Sequence, residues 1–331
     1  MKEALYWEVK EKDVVQCLLC PKLCVIKEGG KGQCHVRQNI KGKLYSMVYG
    51  KPCAIAVDPI EKKPLYHFLP GSTAFSVGTI GCNLHCRFCQ NWETSQAYPE
   101  DFEFKDVSPD EIVKQAKKSG CESIAYTYND PVVFYEYALD IAKKAKGLRN
   151  IIVCNGFINQ EPLKEWCKHI DAANIDLKAF DDKFYRENTT AWLNPILESL
   201  KTIKKMGVWL EITNLIIPGL NDDMKKIKKM CAWIFENLGS DVPLHFTAFY
   251  PCYQMMDRPR TPAVTLMEAM KVALRAGLNY VYVGNVDPGE GSNTYCPKSK
   301  KLAVSRYGFS ILQNHIKEGR CNGERIAGVW K

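Results

Sequence analysis

From about residue 72 onward, short apolar runs alternate with longer amphipathic stretches, and few architectures accept that order. The runs at 73–80, 122–128, 150–154, 172–177, 208–217, 243–250 and 279–285 have strand length and read as continuous apolar stretches, as strands buried on both faces do. Between them, 108–119, 132–146, 160–169, 193–206, 222–237 and 264–276 have the length and apolar spacing of surface helices. Ser108-Pro109-Asp110-Glu111 and Asn221-Asp222-Asp223 are good helix starts, and Gly120, Gly147, Gly207 and Gly277 stand where helices should stop. Six or seven β/α repeats predict an α/β fold, a parallel (β/α) barrel and most simply a partial one, with its chemistry at the carboxyl ends of the strands. Cys-rich sequence precedes the repeats and a tail follows them. The expected division is a metal-binding module at 1–70, a barrel at 71–286 and a carboxyl-terminal extension at 287–331.

Fifteen cysteines in 331 residues need an explanation. No apolar run reaches the roughly 18–20 residues of a membrane helix, and the opening Met1-Lys2-Glu3-Ala4-Leu5-Tyr6-Trp7 lacks the apolar core of a secretion signal. A cytoplasmic location is therefore expected, where disulfides are disfavoured and metal ligation is the better account of thiols. The net charge of +8 favours acidic ligands. Its lysines are scattered through helical stretches, which fits a solvated surface and argues against a nucleic-acid or membrane partner.

Gly81-Cys82-Asn83-Leu84-His85-Cys86-Arg87-Phe88-Cys89-Gln90-Asn91-Trp92 follows the first barrel run, on a loop at the active end. Three cysteines spaced C-x₃-C-x₂-C can ligate three irons of a [4Fe–4S] cubane and leave the fourth open. An amino acid that chelates through its amine and carboxylate can take the open iron, and S-adenosylmethionine (SAM) is such a ligand. An electron passed from the cluster into the sulfonium breaks a C–S bond, and the resulting 5′-deoxyadenosyl radical abstracts hydrogen. The protein's part is positioning and exclusion of water. A zinc knuckle, with His85 as fourth ligand, is the competing account of the same thiols.

Cys17, Cys20, Cys24 and Cys34 form a second set, C-x₂-C-x₃-C-x₉-C. Four thiolates so close in sequence can close a tetrahedral zinc site or ligate a second, fully coordinated cluster, and the residues alone do not separate the two. Such a site has no open position for SAM. Cys53, Cys121, Cys154, Cys167, Cys231 and Cys252 lie mostly in apolar surroundings and read as buried structural thiols.

At these residues the chain resembles the radical SAM superfamily, within it the pyruvate formate-lyase activating-enzyme group, and more narrowly the radical SAM protein of the AmmeMemoRadiSam system. The resemblance is carried by Asp58 to His67 (DPIEKKPLYH), Gly81 to Gln96 (GCNLHCRFCQNWETSQ) and Tyr280 to Val286 (YVYVGNV). It implies cofactor contacts from Phe88, from Asn129 and Asp130 in the turn Tyr128-Asn129-Asp130-Pro131, and from Asn155 in Cys154-Asn155-Gly156. It implies the same for Asp176 and Lys178 at the end of the fourth run and for Glu211 in the fifth. Relatives have Gly-Gly-Glu-Pro at the first of these turns and His where this chain has Tyr250, and they carry two C-x₂-C pairs in the tail, of which Cys296 and Cys321 remain. The implied activity is reductive SAM cleavage and hydrogen abstraction, served by a flavodoxin- or ferredoxin-like donor. Its object is a glycyl-radical partner protein or, alternatively, a small metabolite. A zinc-binding scaffold without redox chemistry is the alternative of another class.

Overall fold

The alternation is realised as one eight-stranded sheet in a computed structural model that describes residues 1–287 and 289–330. Residues 288 and 331 of the expected 287–331 extension therefore lie outside the described residues. Seven strands run parallel in sequence order: β2 (Thr73–Gly78), β3 (Ser123–Tyr126), β4 (Arg149–Cys154), β5 (Ala172–Asp176), β6 (Trp209–Ile216), β7 (Leu244–Ala248) and β8 (Val281–Gly284). β1 (Ala54–Pro59), from within the Cys-rich segment, pairs antiparallel to β2 and forms the opposite edge from β8. A linear order with two free edges is a partial barrel. Both faces of the central strands are covered, since β3 and most of β4 and β5 are buried at successive positions.

Helices fall where the apolar spacing put them: α1 (Pro109–Lys118), α2 (Tyr135–Lys144), α3 (Gln160–Cys167), α5 (Leu193–Lys205), α6 (Met224–Leu238) and α7 (Ala263–Arg275). Ser108 caps α1 by accepting a hydrogen bond from the Glu111 amide at 3.2 Å, and Asp223 caps α6 through the Lys225 amide at 2.7 Å. Besides a single turn at Trp92–Ser95, one longer helix was not expected, α4 (Asp182–Thr189). Its sequence DKFYRENT carries only Phe184 and Tyr185 as large apolar side chains, both buried. Asp181 caps it, donating no proton but accepting from the Lys183 amide at 2.9 Å.

The first fifty residues form two small antiparallel sheets. One joins Trp7–Glu11, Val14–Cys17 and Val25–Lys27; the other joins Lys2–Glu3, Lys43–Ser46 and Arg37–Ile40. Val15, Ile26 and Leu44 from these sheets, with Val36 beside them, lie in the same contiguous hydrophobic core as the barrel. The tail adds a further antiparallel sheet, Thr294–Tyr295 with Leu302–Tyr307 and Ser310–Asn314. Its buried Arg306 donates to Tyr66 O at 2.9 Å and to Thr294 Oγ1 at 2.8 Å, tying the tail to the segment before β2. Cys296 and Cys321 are buried beside one another, with the Asn322 amide reaching both sulfurs. No helix among the described residues is long and apolar enough to cross a membrane.

Candidate active site

Cys82, Cys86 and Cys89 lie on the loop after β2, at the carboxyl end of the strands. Backbone hydrogen bonds fix that loop from outside: His85 N to Thr189 O and Arg87 N to Asn188 O, both 3.0 Å, and Gly81 N to Thr94 O at 2.9 Å. The unexpected helix α4 is thus one of its supports. Leu84 N donates to Cys82 Sγ at 3.4 Å, and Ser95 Oγ stands 3.2 Å from Cys89 Sγ. Burial pushes the Cys82 thiol well up and the Cys86 thiol up to about 12. Thiols so placed ionise only beside positive charge, which a metal centre supplies.

The three thiols open onto a cavity of about 450 Å³, within the size range of sites for ligands of SAM's size. All three thiols line it, as ligands do when each binds a different iron of a cubane. The donor set and the space both fit a cluster with SAM on it.

Most of the expected contacts reach this cavity. Phe88 lines it and packs on Phe184 at 5.9 Å between ring centres. Asn129 lines it while its amide donates to Thr79 O at 2.7 Å. Both oxygens of Asp130 are engaged by backbone amides, Val132 N at 3.0 Å and Asn155 N at 2.7 Å, so this carboxylate locks the turns after β3 and β4 together. Burial nevertheless raises its pKa to about 6. Asn155 lines the cavity and donates to Asn83 Oδ1 at 2.9 Å, bracing the cysteine loop. Asp176 and Lys178 line it and pair with each other at 2.7 Å. Burial alone would pull the Lys178 ammonium down; Asp176, and after it the Cys86 thiolate, hold it well above the usual lysine range.

Glu211 is not among the lining residues. Its buried carboxylate accepts from Tyr66 N at 3.0 Å, His67 N at 2.8 Å, Trp209 Nε1 at 3.0 Å and His245 Nε2 at 2.7 Å. The pleat explains the difference. Side chains two apart on a strand share a face at about 6.6 Å spacing, so Glu211 points inward one layer below Thr213 and Leu215, which do line the cavity. The same layering brings in His245 and Thr247 from β7.

The segment Asp58 to His67 contributes Glu61, Lys62 and Tyr66 to the wall. Asp58 explains part of its sequence. Its carboxylate accepts from Lys62 and Lys63 at 2.8 and 2.6 Å, from Ser76 Oγ at 2.8 Å and from Tyr128 Oη at 2.8 Å. Burial would raise its pKa, but these donors together hold it below the usual carboxylate range. Asp58 thereby fixes Tyr128, which stands at φ 70° and starts the turn holding Asn129 and Asp130.

Comparison with known proteins agrees with this geometry. The family model described as the Radical SAM superfamily matches residues 76–231. An uncharacterised protein of Methanocaldococcus jannaschii is 43% identical over 332 residues, covering 98% of this chain and 99% of that one. A pyruvate formate-lyase-activating enzyme of Clostridium pasteurianum is 26% identical over 167 residues, 48% of this chain and 67% of the enzyme. For the fold alone, the structure of a radical SAM methyltransferase from Sphaerobacter thermophilus superposes with a TM-score of 0.50 at 13% identity, covering 66% of this chain and 67% of that one. These likenesses set aside the scaffold reading. A cysteine loop at the strand ends, a cavity of the right size and the family match converge: residues 76–231 form a radical SAM superfamily domain, and the chain is an enzyme of that class, with a [4Fe–4S] cluster and SAM as its cofactors.

Proposed function

We propose that this enzyme abstracts hydrogen from a segment of a protein substrate, as an activating enzyme does, with Cys82, Cys86 and Cys89 holding the cluster. The chemistry supplied there, once cluster and SAM are bound, would be a 5′-deoxyadenosyl radical at the cavity. The chain's own residues bind and aim. Asn129, Asn155 and the Asp176–Lys178 pair offer hydrogen bonds and paired charge to the amino acid end of SAM, and Asp130 keeps the two turns in register. Phe88 and Leu84 shield the cluster from water.

The observation that carries the protein-substrate reading is the shape of the mouth. A cavity of about 450 Å³ lies in the lower part of the range for one ligand, and the cluster and SAM have to share it. At the rim a second, shallow groove of about 480 Å³ shares Gln90 and Asn285 with the cavity and adds Tyr250, Arg260 and Val286. An extended chain lying in that groove can present one small group to the radical without entering the cavity. The likeness to activating enzymes supports the same reading. To test it, reduced protein and SAM are incubated anaerobically with the protein fraction of host cells and, separately, with its small-molecule filtrate. Stimulated 5′-deoxyadenosine and a carbon-centred radical signal are expected with the protein fraction alone; stimulation by the filtrate alone overturns the reading in favour of a metabolite.

The SAM pocket yields its own prediction. Asp176→Ala leaves the partly buried Lys178 ammonium without its partner at the cavity wall. SAM affinity is expected to fall by about tenfold or more, corresponding to roughly 1.5–3 kcal/mol for a charge-assisted contact, with iron content near normal. Equilibrium binding with parallel iron analysis checks this, and unchanged affinity would remove Asp176 from the SAM site.

A further inference from the structure

We propose that Cys17, Cys20, Cys24 and Cys34 hold a second [4Fe–4S] cluster that relays single electrons to the SAM-binding cluster across the contact at Gly81. The four thiols, separated by up to 17 positions, line one cavity together with Arg37 and Asn83. Its volume, about 20 Å³, favours a cluster over a single zinc ion. A four-thiolate zinc site holds each sulfur about 2.3 Å from the ion, so the sulfurs close round a point too narrow for water. A cavity that admits a water molecule needs roughly 10–15 Å³, and this one exceeds that. The room suits a cubane, each thiolate on its own iron.

The surroundings are prepared for negative charge. Arg37 is buried, and its Nε and Nη1 meet no hydrogen-bond partner among the described residues although both are shielded from solvent. A cluster ligated by four thiolates is anionic, and such nitrogens turned to its sulfurs would be satisfied. Glu136, 2.9 Å from Nη2, pairs with the guanidinium but takes no hydrogen bond from Nε or Nη1.

The two thiol sets are neighbours. Gly81, the residue before Cys82, stands at φ +89°, and a Cβ there would lie 2.8 Å from Cys34 O and 2.6 Å from Val36 Cγ1. The backbone carrying Cys34 therefore touches the backbone carrying Cys82, which only glycine permits. Asn83 lines the amino-terminal cavity while Cys82 beside it lines the SAM cavity. Lys22, held by Thr190 O and Thr190 Oγ1, lies within electrostatic reach of Cys20 and Cys24 on one side and of Cys82 and Cys86 on the other. Cys20 and Cys24 are only half-buried, so a donor reaches this site without entering the SAM cavity.

The electron count closes. A reduced one-electron protein donor of the flavodoxin or ferredoxin class passes one electron to the second cluster, taking its core from the 2+ to the 1+ state. That electron moves on to the catalytic cluster, which goes from 2+ to 1+ as the second returns to 2+. No bond is made or broken in the relay.

The inference rests on the cluster reading of the Cys82 loop, and the test separates the two. Native protein prepared without oxygen is expected to carry about eight irons and no zinc. Changing Cys82, Cys86 and Cys89 to Ala is expected to leave about four irons with an electron paramagnetic resonance signal indifferent to SAM. Cys20→Ser with Cys24→Ser is expected to leave about four irons whose signal shifts with SAM. In that double variant, reduction of the remaining cluster by flavodoxin is expected to slow severalfold while reduction by dithionite does not. One zinc per native chain, or about four irons that all leave with the Cys82 set, overturns the second cluster and spares the catalytic one. Equal reduction by flavodoxin in native and double-variant protein overturns the relay. Elemental analysis of the native protein decides the metal even where a variant fails to fold.

Discussion

Replacing Cys82, Cys86 and Cys89 together by Ala is expected to remove about four irons per chain and abolish 5′-deoxyadenosine formation. The effect is complete because no other described side chain offers the cavity a thiolate set: Cys154 also lines it, but alone at the end of β4. The soluble fold is expected to survive. The loop is anchored by backbone bonds to Asn188, Thr189 and Thr94 that the substitutions leave in place, and the barrel core lies below it. Iron analysis and anaerobic turnover check the prediction, and full SAM cleavage by the triple variant would refute the site.

A large loss of stability is expected from Glu136→Ala. Arg37 of the amino-terminal sheet and Glu136 of α2 form an ion pair with side chains 2% and 0% exposed, at 2.9 Å. Glu136 Oε1 also accepts from Leu5 N at 2.7 Å, and Arg37 Nη2 donates to Leu5 O at 2.6 Å. Removing one partner of such a pair strands the other charge in the interior, at a cost of about 3–5 kcal/mol. The denaturation midpoint should fall accordingly, and residues 1–50 should become far more sensitive to protease, because the pair spans the joint between the first sheets and the barrel. Glu136→Gln keeps an acceptor for Leu5 and should lose less. A midpoint unchanged in Glu136→Ala would mean that the Arg37 charge is balanced elsewhere.

Much of this protein was legible in its residues alone, for a local reason. Strand and helix are encoded by apolar spacing over a dozen positions, so seven parallel strands and six of the major helices fall where the runs put them. The C-x₃-C-x₂-C loop declares its chemistry in eight residues, because ligand spacing is itself a short-range property. Helix α4 escaped because its apolar face is only Phe184 and Tyr185, and packing under the cysteine loop, rather than periodicity, makes it a helix. Glu211 shows the limit on the site: the strand and the inward face were legible, but not the depth, since one pleat decides between cavity wall and buried anchor. Only the tertiary structure brings Cys34 against Gly81 and Arg37 against Glu136, across 47 and 99 positions of chain. Contacts of that separation are set by how packed elements meet, and no local pattern records them.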